Sequence, residues 1–465
     1  MPAAPGPYAL AGVEMPTWLI RFDRYGACAS PSTRAALFEG LGSGAATDVI
    51  LFSHGWNDDF ADATDMYAAF LRNFEALQRA HRAGRNFRPL FVGALWPSIW
   101  LSFDQGPDIA SGGPGGDGQA QALLAELAGR IAASGGAAGL ERVYSLLAGP
   151  SLDDAEAAEL AQLIAPAFGV IADEGAALNG RDTVATDVLA MMRAMEAAGP
   201  GGGRPAQSDD IDEFSRPTDA GDSGALPVGP RAAGLPGWLD PRTALRLFSL
   251  YQMKDRAGTV GFNGVASFLR ELLAVAGSGP GATQPRVHAV GHSFGCKVLL
   301  SAICAQPLPR PLASLLLLQP AISHLCFADK VAETGRPGGY RAALSAERVA
   351  PPIFSTYTRQ DMPLHDAFHL AVRREGDLGE MQIAGDNEST TAGPPPSRFA
   401  ALGGYGPRQA NQVLVDPLPR AGSAISLPPG SVPIVAFDGS QDMIHGHGDI
   451  TGPALAWALH QLVFR

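Results

Sequence analysis

Lysine is scarce in this 465-residue chain, and so is positive charge in general. The sequence holds 46 acidic and 34 basic residues, which gives a net charge of −12, and only Lys254, Lys297 and Lys330 are lysines. Proteins that bind nucleic acid need a basic face for the phosphates. The charge balance therefore predicts no nucleic-acid partner.

Cysteine and long hydrophobic runs are also scarce. The four cysteines have no paired or metal-ligand spacing, which excludes a disulfide framework; they are Cys28, Cys296, Cys304 and Cys326. The densest apolar run, residues 312–318, is too short to cross a bilayer. The beginning of the sequence has neither a basic start nor a sustained apolar stretch, so no signal peptide is predicted. We expect a cytoplasmic protein without a transmembrane segment.

Glycine and proline, in contrast, are abundant. The 56 glycines and 38 prolines make up roughly a fifth of the chain, against about 12% in average proteins. The glycines have no three-residue period, which excludes collagen, and a hydrophobic fraction of 46% excludes wholesale disorder. The excess is densest in residues 199–237 and 376–396, which we interpret as long mobile loops outside a well-packed core.

Short apolar runs alternate with helical patterns along most of the chain. The runs lack polar–apolar alternation, which is typical of strands buried on both faces of a parallel sheet; they are residues 48–53, 89–95, 286–290, 314–318, 353–357 and 432–437. Helix-spaced apolar residues lie between them, at 61–80, 243–253, 264–276, 296–304 and 453–463. The alternation predicts an α/β fold, a three-layer sandwich with a mostly parallel central sheet.

Residues 103–240 interrupt this alternation. They contain no strand pattern but three helical stretches, 119–133, 152–165 and 182–197, before the longer Gly/Pro-rich loop. We therefore predict a core in two parts, 1–103 and 241–465, separated by a helical cap insertion, 104–240. The alternative is that the insertion only elaborates the surface.

A candidate nucleophile follows the strand predicted at 286–290. Gly291-His292-Ser293-Phe294-Gly295 matches G-x-S-x-G and leads into the helix predicted at 296–304. In this context the pattern forms a nucleophile elbow, which presents the serine hydroxyl above the sheet edge with backbone N–H groups behind it. The alternative is an ordinary glycine-rich turn between a strand and a helix.

With this elbow, the sequence resembles the α/β-hydrolase superfamily, and specifically its serine esterases and lipases, over residues 48–103 and 241–465. In that superfamily an acid and then a histidine follow the serine. Asp361 lies just past the strand predicted at 353–357, and His447 lies in the loop before the last helix. The resemblance implies that Ser293, Asp361 and His447 are catalytic, with the histidine as base and the carboxylate orienting it.

Other residues compete for two of these roles. His445 lies in the same loop as His447, and we favour His447 as the base because it is closer to the last helix. Asp438 and Asp442 also follow a predicted strand, but they precede the histidine too closely to fill the usual acid position.

The segment His445-x-His447-x-Asp449 also has the appearance of a metal-binding motif. A hydrolytic zinc site needs three or more ligands and a water. No second ligand cluster of comparable clarity is present in the sequence. We therefore predict neither a metal nor an organic cofactor.

A candidate oxyanion loop, Ser53-His54-Gly55-Trp56, follows the strand predicted at 48–53. In lipases that the chain resembles, such an element supplies an oxyanion-hole amide from the residue after the glycine, which is Trp56 here. The amide of Phe294, behind the nucleophile, is the second donor. We interpret His54 as a structural hydrogen-bonding residue, and Asp58 as part of a helix cap.

Together these motifs predict a serine hydrolase that cleaves carboxylic esters through an acyl-enzyme intermediate. The expected partner is a small-molecule ester, apolar on its acyl or alcohol side, since a helical cap tends to build a hydrophobic pocket. Amide, peptide or thioester hydrolysis would use the same residues. The alternative from another class is a non-catalytic binding protein of the same fold, and the sequence does not indicate an oligomeric state.

Overall fold

A parallel sheet forms the centre of the protein. A computed structural model describes residues 5–56, 58, 60–81, 84–98, 139–143, 145–146, 151–164, 189, 253–275, 284–371, 378–380, 396–425, 427 and 432–465. Within these residues eight strands form one sheet in the order β1-β3-β2-β4-β5-β6-β8-β7, and every pair of neighbours is parallel. The expected α/β fold with a parallel sheet is confirmed.

All six predicted strands are present, and two further strands form the edges of the sheet. The strands are β1 Thr17–Arg21, β2 Asp48–Ser53, β3 Pro89–Leu95, β4 Arg286–His292, β5 Ser314–Leu318, β6 Ile353–Tyr357, β7 Val413–Val415 and β8 Ile434–Asp438. The sequence analysis does not predict β1 or β7. Each of them has only one neighbouring strand, and its apolar run is only three residues long, 18–20 in β1 and 413–415 in β7, which is too short to predict a strand.

Helices cover both faces of the sheet. They are α1 Pro31–Gly42, α2 Phe60–Ala80, α3 Asp154–Ile164, α4 Ala266–Ala274, α5 Phe294–Ala305, α6 Phe368–Ala371, α7 Leu402–Tyr405 and α8 Pro453–Phe464, with a 3₁₀ turn at Arg341–Leu344 and π turns at Gly261–Val265 and Pro363–Ala367. Val49 and Leu51 of β2 pack in one apolar cluster with α1, α4 and α5, whereas Ile50 and Phe52 pack in another with α2 and α8. Successive strand residues face opposite sides of a sheet, so the result is three layers.

In the ranges that the structure describes, no helix combines the length and the apolar character that crossing a membrane requires.

Most of the predicted insertion and of the two Gly/Pro-rich stretches lies outside the described residues. The same is true of the helices predicted at 119–133, 182–197 and 243–253, apart from one residue in each of the last two. Helix α3 coincides with the helix predicted at 152–165, and its buried residues Ala157 and Leu160 belong to the cluster that contains Val49 and Leu51. The division at 103 and 240 stays a prediction.

Because the strands are parallel, the carboxyl ends of the central strands lie along the same side of the sheet, which we call the carboxyl edge, and their amino ends lie along the opposite, amino edge. The carboxyl ends are Ser53 of β2, His292 of β4, Leu318 of β5, Tyr357 of β6 and Asp438 of β8. In open parallel sheets, ligands bind outside the carboxyl edge. Every residue that the sequence analysis proposes for catalysis follows one of these strand ends.

The opposite edge is held by an ion-pair network around Asp48. Arg85 and Arg286 donate to its carboxylate at 3.0 Å, and both guanidinium groups also donate to the carbonyl oxygen of Val463 in α8. Nε2 of His288 lies 3.1 Å from the same carboxylate. Burial raises the pKa of Asp48, but the hydrogen bonds it accepts and the charges of His288 and Arg286 outweigh burial and leave that pKa below its ordinary value.

Asp48→Asn is expected to lower the free energy of unfolding at neutral pH by about 3 kcal/mol, which is the lower end for breaking a buried ion pair. We choose the lower end because Arg85 and Arg286 keep partial contact with water. The folded-state pKa of Asp48 is depressed, so its contribution is present above the unfolded-state pKa and is lost as the pH falls through the folded-state pKa. Urea unfolding at neutral pH and at successively lower pH measures both effects.

The control for this prediction is Asp329→Asn, which removes the partner of Arg341 in an exposed ion pair. It should cost less than about 1 kcal/mol. Equal losses in the two variants would contradict the role of Asp48 in closing this edge of the sheet.

Candidate active site

Three polar side chains meet at the carboxyl edge of the sheet. Nε2 of His447 lies 2.8 Å from Oγ of Ser293, and Nδ1 of His447 lies 2.7 Å from Oδ2 of Asp361. The exposed fraction is 1% for Ser293, 0% for Asp361 and 8% for His447. The structure thus brings the three proposed catalytic residues into one hydrogen-bonded chain.

Ser293 lies on a sharp turn between β4 and α5. Its φ of 54° and ψ of −124° are sparsely populated for a residue with a side chain. Its N–H donates to the carbonyl of Leu318 at 3.1 Å, and its own carbonyl accepts from the N–H groups of Cys296 at 3.1 Å and Ala321 at 3.3 Å. These bonds hold the strained backbone in the geometry of a nucleophile elbow.

Gly295 lets α5 begin directly against the end of β2. A Cβ atom at this position would lie 2.1 Å from the carbonyl oxygen of Ser53 and 2.4 Å from that of His54. A side chain would therefore push the elbow away from β2. The positive φ of the turn lies on Ser293, so the glycine at 295 is required by the close approach.

The predicted oxyanion loop lies beside Ser293, the predicted nucleophile. A Cβ atom at Gly55 would lie only 3.0 Å from Cβ of Ser293, which places the peptide between Gly55 and Trp56 next to the serine. Phe294, on the other side, is the first residue of α5. The N–H groups of a first helical turn have no acceptor within the helix. One predicted oxyanion donor, the amide of Phe294, thus directly follows Ser293 in the chain, and the loop that leads to the other, Trp56, approaches the serine at Gly55.

His54 and Asp58 fix the shape of this loop. Nε2 of His54 accepts the N–H of Trp96 at 3.1 Å, and the two rings stack with centroids 5.6 Å apart. The N–H of Gly55 donates to Oδ2 of Asp58 at 3.0 Å. These contacts agree with a structural role for His54, and they show Asp58 supporting the loop where the sequence analysis assigns it to a helix cap.

Asp361 lies four residues past the end of β6, in the loop where the sequence predicts the acid. Oδ1 accepts the N–H of Leu364 at 3.0 Å, which leaves Oδ2 for His447. Asp438, the competing residue at the end of β8, instead accepts the N–H of Ser440 at 2.8 Å within its own turn. Of these two carboxylates, the structure places Asp361 on the histidine.

The two candidate histidines point in different directions. His445 pairs with Asp449 through Nδ1 at 3.1 Å, and its side chain is 65% exposed. Both ring nitrogens of His447 face Ser293 and Asp361, so the H-x-H-x-D residues do not converge on one point. In the part of the chain that the structure describes, no group of three His, Cys, Asp or Glu residues is arranged to hold a metal ion.

The two buried histidines at the carboxyl edge, His447 and His292, have pKa values shifted in opposite directions. Burial lowers the pKa of His447, but the charge of Asp361 and the hydrogen bond to it outweigh burial, and Asp58 adds to the effect, so the pKa of His447 is raised above 6.5. Burial, together with the nearby His447, lowers the pKa of His292 to about 4. His292 is therefore neutral at ordinary pH, and its Nε2 donates to the carbonyl oxygen of His447 at 2.9 Å.

Gln319 contacts the same loop, and the sequence analysis does not single it out. Its Nε2 lies 2.6 Å from the carbonyl oxygen of Gly446 and 3.2 Å from that of His447. The available signal is its position directly after β5, because polar residues at the carboxyl ends of neighbouring parallel strands meet at one edge.

A second Ser–His–Asp arrangement lies at the opposite edge of the sheet. Nδ1 of His288 lies 2.8 Å from Oγ of Ser314, and Nε2 lies 3.1 Å from Oδ1 of Asp48. Ser314 begins β5 and is 1% exposed, and Asp48 is already paired with two arginines. We interpret this group as structural, because its serine lies on a regular strand and not on an elbow.

Comparisons of the chain with protein-family models, with curated proteins and with solved structures found no match. The arrangement of Ser293, His447 and Asp361 is therefore the basis on which a function can be proposed.

Proposed function

We propose that this protein is a serine hydrolase of the α/β-hydrolase type that cleaves carboxylic esters. The observation that carries the proposal is the hydrogen-bonded chain from Ser293 through His447 to Asp361 at the carboxyl edge of a parallel sheet. Serine, acid and histidine also follow one another along the chain in the order found in α/β-hydrolases. A protein that only binds a ligand has no need of all three in contact.

Ser293 is the nucleophile of the proposed reaction. A serine hydroxyl is weakly nucleophilic at its ordinary pKa, so Nε2 of His447 takes its proton as Oγ attacks the ester carbonyl carbon. The electron pair of the C=O bond moves to the carbonyl oxygen. When the tetrahedral intermediate collapses, the bond to the alcohol breaks and the same proton passes to the departing oxygen, which leaves an acyl-serine. Asp361 stabilises the transient imidazolium.

The amides of Trp56 and Phe294 are the proposed oxyanion donors. Both flank Ser293, and preorganised donors of this kind are each worth about 3–4 kcal/mol of transition-state stabilisation in other acyl-transfer enzymes. In the second half of the reaction, His447 removes a proton from water as the water attacks the acyl carbon. When this second tetrahedral intermediate collapses, the bond between the acyl carbon and Oγ of Ser293 breaks, the proton passes from His447 to Oγ, and the acid leaves.

The α/β-hydrolase arrangement of the strands and the helical cap are part of the same proposal. The position of β4 in the middle of the sheet and the elbow that follows it support an α/β-hydrolase arrangement. The helical cap at 104–240 is carried over from the sequence pattern. A helical cap tends to build a hydrophobic pocket, which favours a substrate that is apolar on its acyl or alcohol side.

The experiment that tests the proposal combines covalent labelling with turnover. We expect a fluorophosphonate probe to label Ser293, as located by peptide mass mapping, and p-nitrophenyl esters to be hydrolysed. First, p-nitrophenyl esters of increasing acyl length are compared to find the acyl group that is hydrolysed fastest. The thioester and the anilide of that acyl group then decide between ester, thioester and amide hydrolysis. Folded protein that neither labels nor turns over any of these substrates would favour a non-catalytic binding protein.

The proposed mechanism predicts an acid limb in the pH profile. His447 must be neutral to act as the base, and its pKa is raised above 6.5, so kcat/KM should increase with pH through a midpoint above 6.5. Asp361→Asn removes the charge that raises this pKa and leaves the lowering by burial, so the midpoint should move down while kcat falls by roughly 10⁴-fold. A midpoint that does not move in this variant would contradict the assignment of the limb to His447.

A further inference from the structure

We propose that Gln319 is a positioning residue. It holds the loop that carries His447 in the position where the ring contacts Asp361. The inference rests on the proposed function, because it assigns a residue that supports the base of that reaction. It assigns Gln319 no contact with the substrate.

The contacts of the Gln319 amide carry this proposal. One nitrogen, Nε2, lies 2.6 Å from the carbonyl oxygen of Gly446, 3.2 Å from that of His447 and 3.4 Å from Oδ2 of Asp361. The amide therefore contacts the two backbone carbonyls around the histidine and also the carboxylate that the histidine contacts. Within the described residues its Oε1 has no hydrogen-bond partner, so donation through Nε2 is what the side chain supplies.

Gln319 is itself held rigidly, as a positioning residue must be. It is fully buried, with 0% of its surface exposed, and its φ of 42° lies in the left-handed region that residues with side chains rarely adopt. Its N–H donates to Oγ1 of Thr356 in the neighbouring strand β6 at 3.0 Å. Backbone strain of this kind persists only where the surrounding structure determines it, and it is concentrated at functional sites.

His292 supplies a second point of support for the same loop. Its Nε2 donates to the carbonyl oxygen of His447 at 2.9 Å, so this carbonyl accepts from two side chains that come from β4 and from the end of β5. Ser293 and His447 are 154 positions apart in the sequence, so the loop has no local reason to lie beside Ser293. We infer that these donors keep the ring within reach of both of its partners.

The position of the His447 loop affects both the distance from the ring to Ser293 and the pKa of the ring. Proton transfer in the proposed reaction needs Nε2 of His447 within hydrogen-bond distance of the serine hydroxyl. The pKa of His447 is raised by Asp361 against the effect of burial. A looser loop should therefore reduce kcat and also lower the pKa of the ring, whereas a general loss of stability would not move that pKa in the folded protein.

The test compares Gln319→Met with Gln360→Met in the full chain. Methionine keeps most of the side-chain volume and removes the donor. We expect kcat for the best p-nitrophenyl ester to fall by about 10²-fold in Gln319→Met, the size that a misplacement of about 1 Å can produce, with KM within about twofold. Gln360 is exposed and adjoins Asp361, and its side-chain amide donates to the carbonyl of Ser440 and not to the histidine loop, so its variant should keep the wild-type kcat.

A second readout does not depend on turnover. NMR titration of histidine-labelled protein follows the His447 ring, and we expect its pKa to be lower in Gln319→Met than in wild type or in Gln360→Met. If the wild-type protein hydrolyses no ester, the proposed function is wrong, while this titration still decides the role of Gln319. An unchanged pKa together with an unchanged kcat in folded Gln319→Met would overturn the inference.

A third variant covers the case in which Gln319→Met does not fold. Thr356→Val removes the hydroxyl that accepts the Gln319 N–H and leaves the amide side chain in place. We expect changes in kcat and in the His447 pKa in the same direction and of smaller size. Wild-type values for both in folded Thr356→Val would then count against the proposal.

Discussion

Ser293→Ala should abolish ester hydrolysis, with kcat falling by roughly 10⁴- to 10⁶-fold, the size found when a characterised serine protease loses its nucleophile. In the proposed reaction this hydroxyl forms the acyl-enzyme, and no other side chain on the elbow can replace it. Labelling by the fluorophosphonate probe should disappear in parallel. The thermal midpoint should change little, because the backbone bonds that hold the elbow do not involve Oγ.

The chain contains its own control for this experiment. Ser314 also contacts a histidine that contacts an aspartate, yet it is buried at the amino edge of the sheet. Ser314→Ala should keep turnover and probe labelling, and should lower the free energy of unfolding by about 1 kcal/mol through loss of one hydrogen bond to His288. Full activity in Ser293→Ala, or loss of labelling in Ser314→Ala, would be incompatible with the proposed nucleophile.

His447→Ala is expected to reduce kcat by a similar factor, roughly 10⁴- to 10⁶-fold, because serine and base act as one unit. Without the ring, no group accepts the Ser293 proton at 2.8 Å, and Asp361 loses the partner through which it acts. The acid limb of the pH profile should vanish from the residual rate. Stopped assays at high enzyme concentration measure rates this low.

The matched control is His445→Ala, two residues away in the same loop. Its side chain is 65% exposed and pairs with Asp449, so the variant should keep the wild-type kcat and the wild-type midpoint of the acid limb. A large loss in His445→Ala with little effect in His447→Ala would reverse the assignment of the base. Similar losses in both would indicate that the whole loop has been displaced, which the NMR titration of His447 can detect.

The central strands are predictable from the sequence because of where they lie. Strands β2, β4, β5 and β6 are buried along nearly their whole length. Burial on both faces demands an unbroken apolar run, and such a run can be read directly. The edge strands β1 and β7 have a neighbour on one side only, and their apolar runs are three residues long, so their sequences carry a weaker pattern.

Contacts between distant parts of the chain are less accessible to sequence reasoning. Asp58 follows a pattern that suits a helix cap, and only the folded loop shows that it accepts the N–H of Gly55. Gln319 carries no motif, and its role depends on the carbonyls of a loop more than a hundred residues later. These hydrogen-bond partners are brought together when the strands pack side by side, and local sequence patterns do not predict that packing.

By itself, the sequence determined the α/β alternation, the elbow at Ser293 and the order of the serine, the acid and the histidine. These features are local, since each is a strand end with a turn and a helix behind it. Only the tertiary structure decided that His447 rather than His445 reaches the serine, and that Ser314, His288 and Asp48 form a separate buried group at the amino ends of the strands. The physical reason is that side-chain direction depends on neighbours from other strands, here β5 and β6 for the histidine loop.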